Sequence, residues 1–560
     1  MPIKSRFQVP IPDISLPSCL FVSPYFPLND SKPVFLDAEN PSRSLTLNDY
    51  RSWSQRFAAG LIKHGLQKGD RVMIFSPNHL FFPIAFMGII MAGGIYTGAN
   101  PGYTTRELAH QIRDGDPVYI LCFPANLDVV LEAAKEIEVP KNKIFLFDDA
   151  IYSGSQVKPQ QGCEYWSTLV VSPSEGLEYS WPACSTPEES SQIICLNYSS
   201  GTTGLAKGVE ITHKNYVANA LQVVHQLTLR PDAVMHRQSA RFLCCLPLFH
   251  AMAQTHFTMV GPMQGIPSYI VPKFDFENML DYVQKYRITE LFLVPPVLVG
   301  MSKHPQVRAG RWDLSSVNSV ISGAAPLGKE TITDFESLWG GKIHVRQGWG
   351  LTEATCTVTL TDPRITEPNY TVGHLVGNAE AKIMNEEGTA EVPRGERGEI
   401  WVRSPTIMKG YWRNEKATKE TLTSDGWLRT GDIVHLAEDG QIYVVDRKKE
   451  LIKVKGFQVA PAELEALLLG HPAIADAAVI GIPKDGDEAP RAYIALKSGQ
   501  KASAEDIVTF VDERVSKAKR ITGGVRFVDA IPKNPSGKIL RKILRERAKM
   551  EESKDARAKL

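Results

Sequence analysis

The sequence predicts an α/β protein with a large N-terminal α/β domain and a small C-terminal α+β domain, on three observations. Apolar runs at 71–75, 118–122, 143–147, 192–197 and 290–294 alternate with helical patterns as far as about residue 350. That alternation implies largely parallel sheets covered by helices. Over 391–445 the texture changes to short strands with frequent glycines, read as a small β-barrel-like part of the large domain. The charged cluster Asp446-Arg447-Lys448-Lys449 then separates two strand-like runs and sets the boundary, giving domains 1–445 and 446–560. A chain of 560 residues is too long for one ordinary core, which agrees with this division.

Taken in order, 47–64 reads as a helix and 71–75 (RVMIF) as a buried strand. The stretch 81–99, FFPIAFMGIIMAGGIYTGA, is near the length that spans a bilayer. Pro83, Gly88, Gly93 and Gly94 interrupt it and strong basic flanks are missing, so it reads as a buried helix, a Gly-rich turn and a strand. A helix over 215–227 puts Val217, Ala220, Leu221, Val224 and Leu227 on one face. In the small domain a helix is expected at 461–469, strands at 477–480 and 492–496, and a helix at 504–515. No internal repeat is evident.

Charge and cysteine usage narrow the function classes. A formal net charge of +1 points to neither nucleic acid nor membrane, so any anion site must be local. The eight cysteines form no CxxC pair, which fits buried free thiols in a reducing interior better than zinc or a disulfide framework. The N-terminus lacks a continuous apolar stretch, so no secretory signal is expected. The terminal Ala558-Lys559-Leu560 fits the small–basic–Leu peroxisomal address, and a peroxisomal import receptor is the partner it implies. HExxH, GxSxG and paired-Cys metal patterns are missing.

The strongest local signal is 198–213, YSSGTTGLAKGVEITH. Two serines, two threonines, three glycines and one lysine fall within 199–209, after a buried strand. Glycines let backbone N–H groups approach a ligand, hydroxyls and amides donate to phosphate oxygens, and Lys207 adds a charge. The spacing is not that of the common P-loop, because Gly201 and Gly204 are too close and a second strand-like run follows Lys207. The loop is therefore expected to join two strands. Composition alone leaves a phosphate loop and an ordinary hairpin both open.

SSGTTGLAKGV resembles the signature loop of the adenylate-forming superfamily, whose acyl-CoA synthetases, 4-coumarate–CoA ligases and fungal relatives carry the most similar pattern. The family usually has proline where this chain has Ala206. Further motifs follow in family order over roughly 35–545. By this resemblance Ser199, Ser200, Gly201, Thr202, Thr203, Gly204 and Lys207 bind the triphosphate. Gly323 and Ala324, in SGAAPL, lie against adenine. Gln347-Gly348-Trp349-Gly350-Leu351-Thr352-Glu353 is similar to QGYGMTE. It implies that Trp349 stacks on the base, Thr352 binds the α-phosphate and Glu353 holds Mg²⁺, with tryptophan replacing the usual tyrosine. Asp432 and Arg447 would hold the ribose.

The resemblance also assigns the mobile parts. Lys449 would be the hinge pivot, Lys538 the adenylation lysine, and Lys453 and Gln458 would approach the acyl-phosphate. Lys455, Gly456 and Lys273 would contact coenzyme A. A lone His after an apolar run reads by default as a core residue, but the LPLFH resemblance makes His250 a gate for the carboxylate, with Phe249, Met252 and His256 in the acyl pocket. Ala251, Met252, Ala253 and His256 depart from the plant pattern, and flexible Met252 suggests an adaptable apolar pocket. The implied activity is acyl-CoA ligation with ATP, Mg²⁺ and coenzyme A, through an acyl-adenylate, on an aryl or a medium-chain or polyketide-like aliphatic acid. Fatty-acid breakdown and secondary metabolism both fit. Loading of a carrier protein, luciferase-like oxygenation and nucleotide sensing remain as alternatives, with no nucleic-acid partner and no stable membrane insertion.

Overall fold

The computed structural model describes residues 2–22, 27–154, 157–199, 206–323, 325, 327–365, 367, 370–454, 457–484, 487–534 and 537–557, with side chains as far as 552. Two large sheets organise the N-terminal part. In the eight-stranded sheet, Arg71–Phe75 and Ile95–Ala99 lie at the centre in parallel pairing, with Tyr119–Cys122, Ile144–Leu146 and Ile193–Ser199 also parallel. The nine-stranded sheet has a parallel core from Pro33–Asp37 through Ser268–Ile270, Phe242–Cys244, Glu290–Leu293 and Ser319–Ser322 to Val345–Gly350. The runs expected as strands are strands because they are continuously apolar and covered on both faces, as parallel strands require.

The helix Phe82–Met91 is buried along its whole length and leads through a turn into Ile95–Ala99. No helix among the described residues is long and apolar enough to cross a membrane. Leu47–Lys63 starts at a capping box built by Thr46 and Asp49, and His213–Thr228 at one built by Thr212 and Asn215.

The glycine-rich region forms a five-stranded antiparallel sheet: Ile3–Lys4, Glu380–Met384, Arg397–Arg403, Leu428–Leu436 and Ile442–Arg447. Among the described residues its pairing is open at both edges. Its last strand ends at Arg447, inside the charged cluster that the sequence marks as the boundary. Beyond it, the small domain has helices Pro461–Leu469 and Ala504–Asp512 and strands Ile474–Lys484, Asp487–Leu496 and Val525–Phe527 around its own core. The hairpin Ile474–Lys484/Asp487–Leu496 is longer than the apolar runs that signal it, because polar residues at its far end continue the ladder. All eight cysteines are free; Cys184 and Cys245 are half-buried and the others buried.

Candidate active site

Ligand sites in α/β folds lie beyond the carboxyl ends of parallel strands. Here Ser319–Ser322 and Val345–Gly350 run side by side, with Ser322 opposite Gln347. Beyond them lies a cleft of about 1220 Å³ between the two domains. Gly348, Trp349 and Gly350 line it from the large sheet, Asp432 and Arg447 from the antiparallel sheet, and Lys538 from the small domain. Gly350 admits no side chain, since a Cβ there would lie 1.7 Å from the Cys356 carbonyl oxygen.

Strand register builds the Asp432 centre. Asp432 and Arg447 are direct cross-strand partners, and Arg447 Nε lies 3.2 Å from Asp432 Oδ1. Trp349 Nε1 donates to Asp432 Oδ2 at 2.8 Å. The tryptophan at the family's tyrosine position thus brings an N–H to the predicted ribose carboxylate, a contact not foreseen from the sequence. Burial pushes the Asp432 carboxyl up, while Arg447, the indole N–H and Lys538 pull it back.

Lys538 enters this centre from the small domain. Burial, then Arg447, draws its ammonium down to about 8, against the opposing carboxylates Asp432, Glu450 and Glu353. Burial, then the Lys538 charge, lowers His250 to about 4, so its imidazole is neutral near pH 7. His250 stands at the N-terminus of the helix Ala251–Thr255 without a side-chain capping bond, and Asn78 fixes the approach to it. The Asn78 amide donates to Leu246 O at 2.9 Å and accepts from Leu248 N at 2.8 Å.

Glu353 sits in the 3₁₀ turn Thr352–Ala354. Its Oε1 accepts from the Tyr411 hydroxyl at 2.9 Å, and Lys207 Nζ lies 4.2 Å from the centre of the same ring. Tyr411 therefore joins the predicted metal carboxylate to the phosphate-loop lysine. The β-branched Thr355 follows at φ +67°, a strained backbone held by its Oγ1 donating to Thr406 O at 2.7 Å. Among the described residues no group of three or more His, Cys, Asp or Glu could cage a metal. Glu353 alone suits Mg²⁺, which is commonly held by one or two carboxylates plus substrate phosphates.

The predicted phosphate loop joins two strands, as expected: Ile193–Ser199 pairs antiparallel with Lys207–Thr212, with Ser199 opposite Lys207. Ser200, Gly201, Thr202, Thr203, Gly204, Ala324, Lys455, Gly456 and the terminal Ala558-Lys559-Leu560 lie outside the described residues. Gln347 is buried in its strand beside the cleft. On the acyl side, the Met252 thioether lies 3.8 Å from where a Gly323 Cβ would be, and Phe249 packs on Gly98. His256, assigned to the acyl pocket, lies one helical turn after Met252. It is 3% exposed, its ring packs on Phe292 with centroids 5.0 Å apart, and its Nδ1 bonds Met252 O at 2.9 Å. It begins the π-helical turn His256–Val260.

Other assigned residues do not join the site in this domain arrangement. Lys453 and Gln458 lie exposed on the strand pair Ile452–Val454/Phe457–Val459, and the Gln458 amide donates to Glu386 Oε2 at 2.9 Å. The reason is geometric: the small domain turns its Lys538 face to the cleft. Lys273 and Lys449, the predicted hinge, are exposed. Tyr411 and Asn78 were missed, and nothing local marks either one; only their distant partners do.

Asp432, paired with Arg447 and the Trp349 N–H, and Lys538, brought beside it by the small domain, form the centre of the cleft. Residues 29–412 match the family model of AMP-binding enzymes, and 463–538 that of the AMP-binding enzyme C-terminal domain. A phenylacetyl-CoA ligase of Aspergillus niger is 37% identical, covering 97% of this chain and 98% of its own. 4-Coumarate–CoA ligase 1 of Petroselinum crispum is 39% identical (97% and 96%), and the peroxisomal OPC-8:0-CoA ligase 1 of Arabidopsis thaliana 37% (97% and 95%). The structure of the anthranilate CoA ligase AuaEII with anthranoyl-AMP has the same fold, with TM-score 0.83 at 23% identity over 97% of this chain and 99% of that one. The chain belongs to the AMP-binding enzyme family, and is an acid–thiol ligase of its acyl-CoA ligase group. ATP and coenzyme A are the substrates of that group.

Proposed function

We propose that this cleft carries out both half-reactions and that the residues act as follows. A carboxylate oxygen of the acid attacks the α-phosphorus of ATP, and pyrophosphate leaves. Two anions must meet, so charge neutralisation dominates the step. Lys207 and Lys538 supply fixed positive charge, with Thr352 at the α-phosphate. Glu353 would hold Mg²⁺, which supplies further neutralisation of the phosphates when bound. Asp432 accepts from the ribose hydroxyls, and Arg447 and the Trp349 N–H keep its carboxylate in place. Neutral His250 orients the acid without adding charge. In the second half-reaction the thiol sulfur of coenzyme A attacks the acyl carbon, AMP departs and the thiol proton passes to solvent.

The observation that carries this reading is Lys538 seated among Asp432, Arg447 and Glu353 while belonging to the other domain. The second face of the small domain supports a two-orientation cycle about Lys449. Phe457, between Lys453 and Gln458, is 65% exposed, an apolar side chain that another domain position could cover. Apolar Phe249 and Met252 favour an aryl or a medium-chain or polyketide-like aliphatic acid, and the relatives include ligases named for phenylacetate and 4-coumarate. The terminal Ala558-Lys559-Leu560, together with a peroxisomal relative, supports peroxisomal import. Roles in secondary metabolism and in fatty-acid breakdown are both compatible.

The test is incubation with Mg·ATP, coenzyme A and a panel of aryl and aliphatic acids, with acyl-CoA measured by mass. Product ranks the acids directly. AMP release with no acyl-CoA would reassign the acceptor to a carrier protein.

A further inference from the structure

The helix Pro295–Lys303 of the large domain touches the small domain at both ends. At its start, Val294 and Pro296 meet the turn that carries Lys538. A Cβ on Gly537, whose φ is +79°, would lie 3.1 Å from Val294 Cγ2 and 3.2 Å from Pro296 Cδ. At its end, the Lys303 ammonium donates to the carbonyl oxygen of Leu469 and to that of Ile474 at 3.2 Å. Leu469 is the last residue of the small-domain helix Pro461–Leu469; the Leu467 and Leu468 carbonyls accept from the N–H groups of Gly470 and His471, and the Leu469 carbonyl accepts from Lys303. That helix has no basic residue in its own last turn. The cation that favours a helix C-terminus is therefore supplied from the other domain. Beside it, Gly328 faces Ala466 so closely that a Cβ at 328 would lie 2.7 Å from the Ala466 Cβ.

We infer that Lys303 is a positioning residue for adenylation: its ammonium, capping helix Pro461–Leu469 across the domain boundary, latches the small domain where Lys538 reaches the nucleotide. The latch must open before the Lys453–Gln458 face can enter, so it favours one half-reaction over the other. Burial, then the charge of Lys497, brings the Lys303 ammonium down to about 8, against the opposing carboxylates Asp334 and Asp476. The inference rests on the two-orientation reading.

The experiment measures both half-reactions separately in the full-length protein. Lys303→Gln is expected to slow acyl-adenylate formation roughly tenfold, as loss of charge-assisted hydrogen bonds from one of two domain positions implies. Thioester formation from supplied acyl-adenylate should be unchanged or faster, and Lys303→Arg should restore adenylation. Equal loss in both half-reactions, or none in either, would overturn the latch. A second variant separates this from failure of the two-orientation reading. Gly328→Cys with Ala466→Cys, oxidised to a disulfide, holds the domains together; bridging needs the backbones to part by about 1 Å. The cross-linked protein should form acyl-adenylate and fail to make thioester until reduced. Native rates of both half-reactions in the cross-linked protein would remove the two-orientation reading, and the latch with it.

Discussion

The two faces of the small domain differ in almost every physical respect. The Lys538 face is packed into the cleft, its lysine lowered to about 8 by burial and Arg447, its glycine turn seated on Val294 and Pro296. The Lys453–Gln458 face lies in solvent, with Phe457 65% exposed and one amide hydrogen bond to Glu386. The large-domain half of the site is fixed by strand register and needs neither face. On the proposed cycle the difference has a simple reading: the large-domain half of the site stays built throughout, whereas Lys538 is a visiting group held by a few contacts across the domain boundary.

That comparison breaks first at the fixed half. Glu353→Gln should slow adenylation by about 100-fold, since a charged partner of the phosphates and metal is lost, and should raise the Mg²⁺ concentration needed for half-maximal rate. A Mg²⁺ titration with unchanged half-saturation would remove Glu353 from the metal site. Trp349→Phe keeps a ring beside the base but strips one donor from buried Asp432; ATP KM should rise about tenfold. Tyr411→Phe keeps the face under Lys207 and loses only the hydroxyl to Glu353, so adenylation should slow about fivefold. Loss as large as that of Glu353→Gln would mean that Tyr411 touches the substrate.

The visiting lysine makes a pH prediction. Its folded pKa is depressed from 10.5 to about 8, so its positive charge is present below about pH 8 and is lost above it in the free enzyme. ATP affinity should therefore hold below pH 8 and weaken as pH rises through it. Bound phosphates restore the charge, so the adenylation rate at saturating ATP should break at higher pH than ATP affinity. Lys538→Arg, permanently charged, should flatten the affinity profile. A profile unchanged by that substitution would assign the break to another group.

The same contrast decides what the sequence could tell. Strands such as Arg71–Phe75 and Glu290–Leu293 were legible because two-sided burial leaves a continuous apolar run. The residues proposed for the nucleotide stood out because each lies in a short motif rich in glycines and hydroxyls, the chemistry of a close approach. Contacts between remote segments left no local trace. Ile3–Lys4 completes a sheet with Glu380–Met384, Tyr411 bridges Glu353 and Lys207, and Lys303 caps a helix in the other domain. The π-helical turn at His256–Val260 was invisible too, because no residue type announces it.

The most direct measurement compares Lys538→Ala and Lys453→Ala in the two half-reactions, pyrophosphate release from ATP and acid, and thioester formation from supplied acyl-adenylate. One cleft served by two faces predicts opposite profiles. Lys538→Ala should lose pyrophosphate release and keep thioester formation, and Lys453→Ala should do the reverse. Parallel losses in both half-reactions for either variant would contradict the account, because that face would then serve the cleft throughout the cycle.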